Sequence, residues 1–147
     1  MIRLAVFETY PLYHIGIQET FKGSEIQVVV TTSDPVSLFP MLAETQSEVV
    51  LIGVNPCDNL LCLNVAQRIR KEYPLLKILA YADEDTEKTI LLLLEADING
   101  CIGKRADRNE LGKAIMKVAA GEEYIGRIER SIYHTRQPLY TYTEPIL

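Results

Sequence analysis

At 147 residues the chain has the length of one domain, taking roughly 150 residues apiece, and its 48% hydrophobic and 24% charged content is that of a globular protein. The 15 Lys and Arg against 20 Asp and Glu leave a net charge of -5, which argues against direct contact of this chain with nucleic acid. No run reaches the ~18 apolar residues of a membrane-spanning helix, the opening MIRLAVFETY is too short and polar for a secretory leader, and Cys57, Cys62 and Cys101 lack metal spacing, all of which suits a cytoplasmic protein with reduced thiols.

Short apolar runs alternate with helical periods from the first residue. Ile2–Phe7 reads as a strand, and Pro11–Phe21, opened by its proline, reads as a helix. A second strand is expected at Ile26–Thr32, then a helix over Asp34–Gln46 with Asp34 as cap and Pro35 in the first turn; Pro40 should kink this helix or delay its start. Val49–Val54 is apolar at every position, as a strand covered on both faces would be, and the polar loop Asn55–Asn59 follows. Leu60–Tyr73 is the third helix, Lys77–Ala82 the fourth strand, and Thr86–Glu95 the fourth helix, after the acidic turn Asp83-Glu84-Asp85. Gly100–Lys104 and Asp107–Ala120 complete the series, with Asp107 as N-cap and Gly121 just past the helix end. Five strand–helix units with short loops imply an α/β fold, a doubly wound five-stranded parallel sheet with its site at the carboxyl ends of the strands. Beyond Gly121 the pattern fades into a tail holding Tyr124, Tyr133, Tyr140 and Tyr142, with room for a short helix near Arg127–His134.

The first strand–helix loop, Glu8-Thr9-Tyr10-Pro11, has no glycine, so dinucleotide binding is poorly supported. Cys57 stands on a rim loop, but the histidines, His14 and His134, lie on the first helix and in the tail, which leaves nucleophilic catalysis without a base and argues against an enzyme.

The order of elements, the opening VFETYPLYHIG, the strand SEVVLIGV and the segment EADINGCIGKRADRNELGKAIMKVAAGEEYIG together resemble the receiver domain of two-component response regulators, most closely the NarL/LuxR type. The resemblance spans residues 1–126 and implies the flavodoxin-like (βα)5 receiver fold. Carried over residue by residue, the acidic pair that holds Mg²⁺ falls on Glu8 and Thr9, the phosphoacceptor aspartate on Gly53, the phosphoryl-contacting hydroxyl on Ala82 and the switch aromatic on Cys101. Lys104 alone stands where the family has its lysine. One carboxylate and no acceptor cannot assemble a magnesium-dependent phosphoryl transfer, so the resemblance implies an atypical receiver with a degenerate phosphorylation pocket, no metal and no cofactor. Asp58, five residues on, is a remote candidate for a substitute acceptor. Glu8 and Lys104 are expected to pair across the old pocket.

Function then moves to the surface. In Ile90-Leu91-Leu92-Leu93-Leu94, Ile90, Leu91 and Leu94 suit the sheet side, leaving Leu92 and Leu93 to face outward, on a helix for which the resemblance implies a dimerisation surface. Tyr13 and Ile15 on the first helix form a second candidate. The expected assembly is a homodimer, with a regulatory protein as a further partner. The resemblance also implies that residues 127–147 are a linker or tail leading to a helix-turn-helix domain, through which a longer transcription regulator would reach DNA; the rival is a stand-alone domain with a tyrosine-rich tail. The rival function is a ligand or redox sensor using the space left near Gly53 and Ala82 and the thiol of Cys57.

Overall fold

The structure is a computed structural model, and it describes residues 1–83 and 86–126. The tail from 127 on, and residues 84 and 85 of the acidic turn, lie outside the described residues. Among the described residues six strands form one parallel sheet in the order β2-β1-β3-β4-β5-β6. They are β1 (Ile2–Phe7), β2 (Ile26–Thr32), β3 (Val49–Val54), β4 (Lys77–Ala82), β5 (Gly100–Gly103) and β6 (Tyr124–Ile125). The helices are α1 (Pro11–Phe21), α2 (Pro35–Thr45), α3 (Asn59–Glu72), α4 (Glu87–Glu95) and α5 (Arg108–Ala119).

Side chains alternate across the sheet and build two separate cores. On one face Phe7, Val50, Ile52 and Ile78 pack against Leu38 and Phe39 of α2, Val65 and Ile69 of α3, and Ile90 and Leu93 of α4. On the other, Leu4, Val6, Leu51, Leu79 and Ile102 pack against Ile17 and Phe21 of α1 and Leu111, Ile115 and Val118 of α5. All six residues of β3 are buried, as a central strand covered by helices on both sides requires.

The caps follow the sequence. Asp34 Oδ1 accepts from Val36 N at 3.0 Å, and Asp107 Oδ1 from Glu110 N at 2.9 Å. Gly121 adopts φ +92, a left-handed conformation that glycine reaches without steric cost. Pro40 does not delay α2, which begins at Pro35. The carbonyl its missing N–H would have met is that of Val36, on an exposed turn where water can serve it.

Two corrections concern boundaries and phase. The tail begins later than its composition suggests: Tyr124–Ile125 adds a sixth strand beside β5, pairing Gly100 with Tyr124. A side chain on Gly100 would collide with the Tyr124 backbone, so this pairing requires glycine. In α4 the buried stripe is Thr86, Thr89, Ile90 and Leu93, with Leu93 only 1% exposed; Leu91 and Leu94 flank it, and Leu92 is 49% exposed. An unbroken apolar run carries no phase, and the threonines before it decide which side faces the sheet. Leu93 is therefore a core residue and not part of an outward surface. Leu93→Ala should cost about 2–5 kcal/mol in urea unfolding, whereas Leu92→Ala should stay within about 0.5 kcal/mol.

Candidate functional site

At the carboxyl end of β1 the chain leaves the sheet through Glu8, whose amide still donates to Thr32 O at 3.0 Å. Its side chain continues the face of Leu4 and Val6. One residue beyond the last paired position, Phe7 with Ile52, it therefore meets Gly53 of β3. Side and main chain of Glu8 are 1% exposed, an unusual place for a carboxylate, and every oxygen of it is engaged. Lys104 Nζ donates to Oε1 at 2.7 Å; Asn55 Nδ2 and the Tyr10 amide donate to Oε2 at 2.8 and 3.0 Å. Lys104, just past β5, is held by its own amide on Ala82 O (2.8 Å), and its Nζ also donates to Asn55 Oδ1 at 2.7 Å. Since an ammonium only donates and a carboxylate only accepts, the Asn55 amide has one orientation here.

The expected Glu8–Lys104 pair thus exists, but as a triangle closed by Asn55, a fully buried residue of the loop after β3. The sequence reading missed Asn55. Its signal was a polar residue directly following six apolar strand positions. Three aromatic rings also face the ammonium, which lies 4.0 Å from the Tyr13 ring centroid, 5.2 Å from Tyr10 and 5.5 Å from Tyr81. Tyr13 stands edge-on to Tyr81 at 5.9 Å. A cation shielded from water gains from such ring faces. Tyr13 is consequently turned inward onto Lys104 and Tyr81, and is corrected as a surface candidate; Ile15, 60% exposed, keeps its outward position, joined by Leu12 at 77%.

Gly53 is the pivot of this arrangement. A Cβ built there would overlap the Glu8 carboxyl group, inside the 3.0 Å that Cβ contacts do not breach. The space anticipated near Gly53 is therefore filled by Glu8. Gly53 pairs in register with Tyr81, which shares its face. Ala82 and Cys101 pack on the opposite face, in the core beneath α2, α3 and α4, so the structure does not bring them to the pocket. Residues alternate across the sheet, and these two positions have the other parity.

At the rim, Thr9 Oγ1 donates to Asp58 Oδ2 and accepts from Asn55 Nδ2 at 3.2 Å. Asp58 ends a single 3-10 turn, Pro56–Asp58, that also carries the exposed Cys57. His14 Nε2 lies 2.8 Å from Glu8 O; a carbonyl only accepts, so Nε2 carries the proton. Cys62 lies beneath the floor, its thiol donating to Gly53 O at 3.2 Å, and burial pushes it up from 9.0 to about 12. Burial, with smaller contributions from Tyr13 and Glu8, likewise pushes the Tyr81 phenol up from 10.0 to about 12.

Solved structures share the fold that positions these residues. The chain is similar to a two-component response regulator of the LuxR family from Aurantimonas sp. SI85-9A1, with TM-score 0.78 and 19% identity over 91% of this chain and 96% of that one. It is similar also to the isolated REC domain of RcsB from Salmonella enterica serovar Typhimurium in the presence of phosphomimetic BeF3-, with TM-score 0.77 and 19% identity over 89% and 97%. The non-phosphorylated receiver domain of RcsB from Escherichia coli follows at TM-score 0.74 and 18% identity, over 86% and 98%. The chain has the receiver fold. No family model matches the sequence, and no curated protein does either.

Two outcomes follow. Lys104→Met leaves the Glu8 carboxylate buried without its cation and should cost about 3–5 kcal/mol in chemical unfolding. Cys62 and Tyr81 bind their protons more tightly folded than unfolded, so their contribution is complete below the unfolded values and is lost as pH climbs. Urea midpoints should hold below pH 9 and fall progressively toward pH 12, and Cys62→Ala should flatten the first part of that decline.

Proposed function

We propose that the chain is an atypical receiver domain of a response regulator, one that signals without aspartyl phosphorylation. The carrying observation is Gly53, which offers no acceptor side chain and whose side-chain space is filled by Glu8. Phosphoryl transfer in receivers needs Mg²⁺, a hard cation that takes near-octahedral oxygen ligands. Here the Glu8 oxygens already accept from Lys104, Asn55 and Tyr10, while the Thr9 hydroxyl is engaged with Asp58. These donors do not fit a bound magnesium ion. Asp58 as a substitute acceptor meets the same objection, since its Oδ2 already accepts from the Thr9 hydroxyl.

In this reading residues 1–126 are a dimerisation and signalling module, and residues 127–147 lead to a DNA-binding domain of a cytoplasmic transcription regulator. RcsB offers a parallel, since one solved structure is of two RcsB dimers bound to two parallel DNAs. The exposed pair Leu12 and Ile15 on α1 supports self-association here, with Leu92 on α4 as a single further apolar contact. A redox reading keeps one feature, the exposed Cys57 thiol on the rim turn.

Acetyl phosphate or beryllofluoride with Mg²⁺ should produce no mass gain and no change in melting temperature; stoichiometric labelling would end the proposal. Light scattering at micromolar concentration should give a dimer for the wild type. Leu92→Asp or Ile15→Asp should give a monomer, whichever lies in the interface, and a wild-type monomer removes both surfaces.

A further inference from the structure

The pocket that Glu8 fills has the composition of an anion site. A lysine ammonium, a side-chain amide N–H and a backbone N–H converge on one carboxylate, and three aromatic rings shield the ammonium from water. Each donor is fixed independently of Glu8. Lys104 is placed by its backbone bond to Ala82 and by Asn55 Oδ1, Asn55 follows the buried strand β3, and the Tyr10 amide precedes the first turn of α1. Such prearranged donors recognise a small oxyanion well, because little has to be reorganised when it arrives. Nothing here depends on which chain the carboxylate comes from.

We propose that Glu8 is an internal ligand: its carboxylate permanently occupies a carboxylate-sized anion site built by Lys104, Asn55 and the Tyr10 amide, and Gly53 is the residue that admits it. The absent acceptor and the buried Glu8–Lys104 pair are then one feature. An aspartate or even an alanine at position 53 would compete with Glu8 for the same volume, so the domain carries its own anion in place of one that is added and removed. Removing the Glu8 side chain should turn the pocket into an open receptor for formate or acetate, the smallest free carboxylates.

The experiment is chemical rescue on the full chain at constant pH and ionic strength. Glu8→Ala should melt below the wild type. Formate should raise its melting temperature saturably, by roughly 5 °C near a hundredfold excess over the dissociation constant, with chloride far weaker. The wild type should not respond, and Glu8→Ala/Lys104→Met should lose the response, which separates site binding from a general salt effect. A Glu8→Ala chain that stays unfolded or unresponsive at every formate concentration overturns the proposal. A second readout needs only the intact pocket: Gly53→Ala should lower the melting temperature of the Glu8-containing protein, and an unchanged value would mean that glycine is not making room for the carboxylate. Labelling of the wild type by acetyl phosphate would overturn phosphorylation independence and leave formate rescue unaffected, so the two ideas fail separately.

Discussion

The structure turns on a buried pair of opposite charges, Glu8 and Lys104, whose side chains are 1% and 3% exposed. Taking two ions out of water costs several kcal/mol each, and Coulomb attraction offsets that cost only where the remaining hydrogen-bonding capacity is met. Here it is met by Asn55, which bonds both members, and by the Tyr10 amide. The pair ties the end of β1 to the segment after β5, and Asn55 ties both to the loop after β3. The carboxyl edge of the sheet is thereby held at three points that would otherwise be independent loops.

That arrangement explains several residues that look unrelated along the chain. Gly53 lacks a side chain because the volume belongs to Glu8. Tyr81 stands opposite Gly53 in register and, with Tyr13 and Tyr10, shields the ammonium, so the aromatic content of this edge serves the charge and not only the core. Thr9, bonded to Asp58 and Asn55, closes the rim over the pair. The carboxyl edge of this sheet thus holds a built-in anion, the Glu8 carboxylate, at its centre.

Much of this fold could be read from the chain. Burial on two faces shows in VVLIGV, caps show in Asp34 and Asp107, and a left-handed stop shows in Gly121, because each depends on neighbours a few residues away. The pairing of Glu8 with Lys104 was also legible, since parallel strands bring their carboxyl ends together. The misplacement of Leu93 has a plain cause. In the Ile90–Leu94 run every residue is apolar, so period alone cannot phase it, and Leu93 went to the wrong side. Ala82 and Cys101 lie one step out of parity with Gly53, a displacement visible only once the strand register is known.

The sequence by itself determined the order of elements, the parallel sheet, the glycine at position 53 and the charges at the strand ends, all of which are properties of composition and local period. Only the tertiary structure decided that the vacated space is filled. That outcome depends on a contact between residues 45 positions apart in the chain, Glu8 and Gly53, and on a third partner, Asn55, recruited by geometry. Distances of that kind are set by how the strands lie side by side, and no window of sequence contains them.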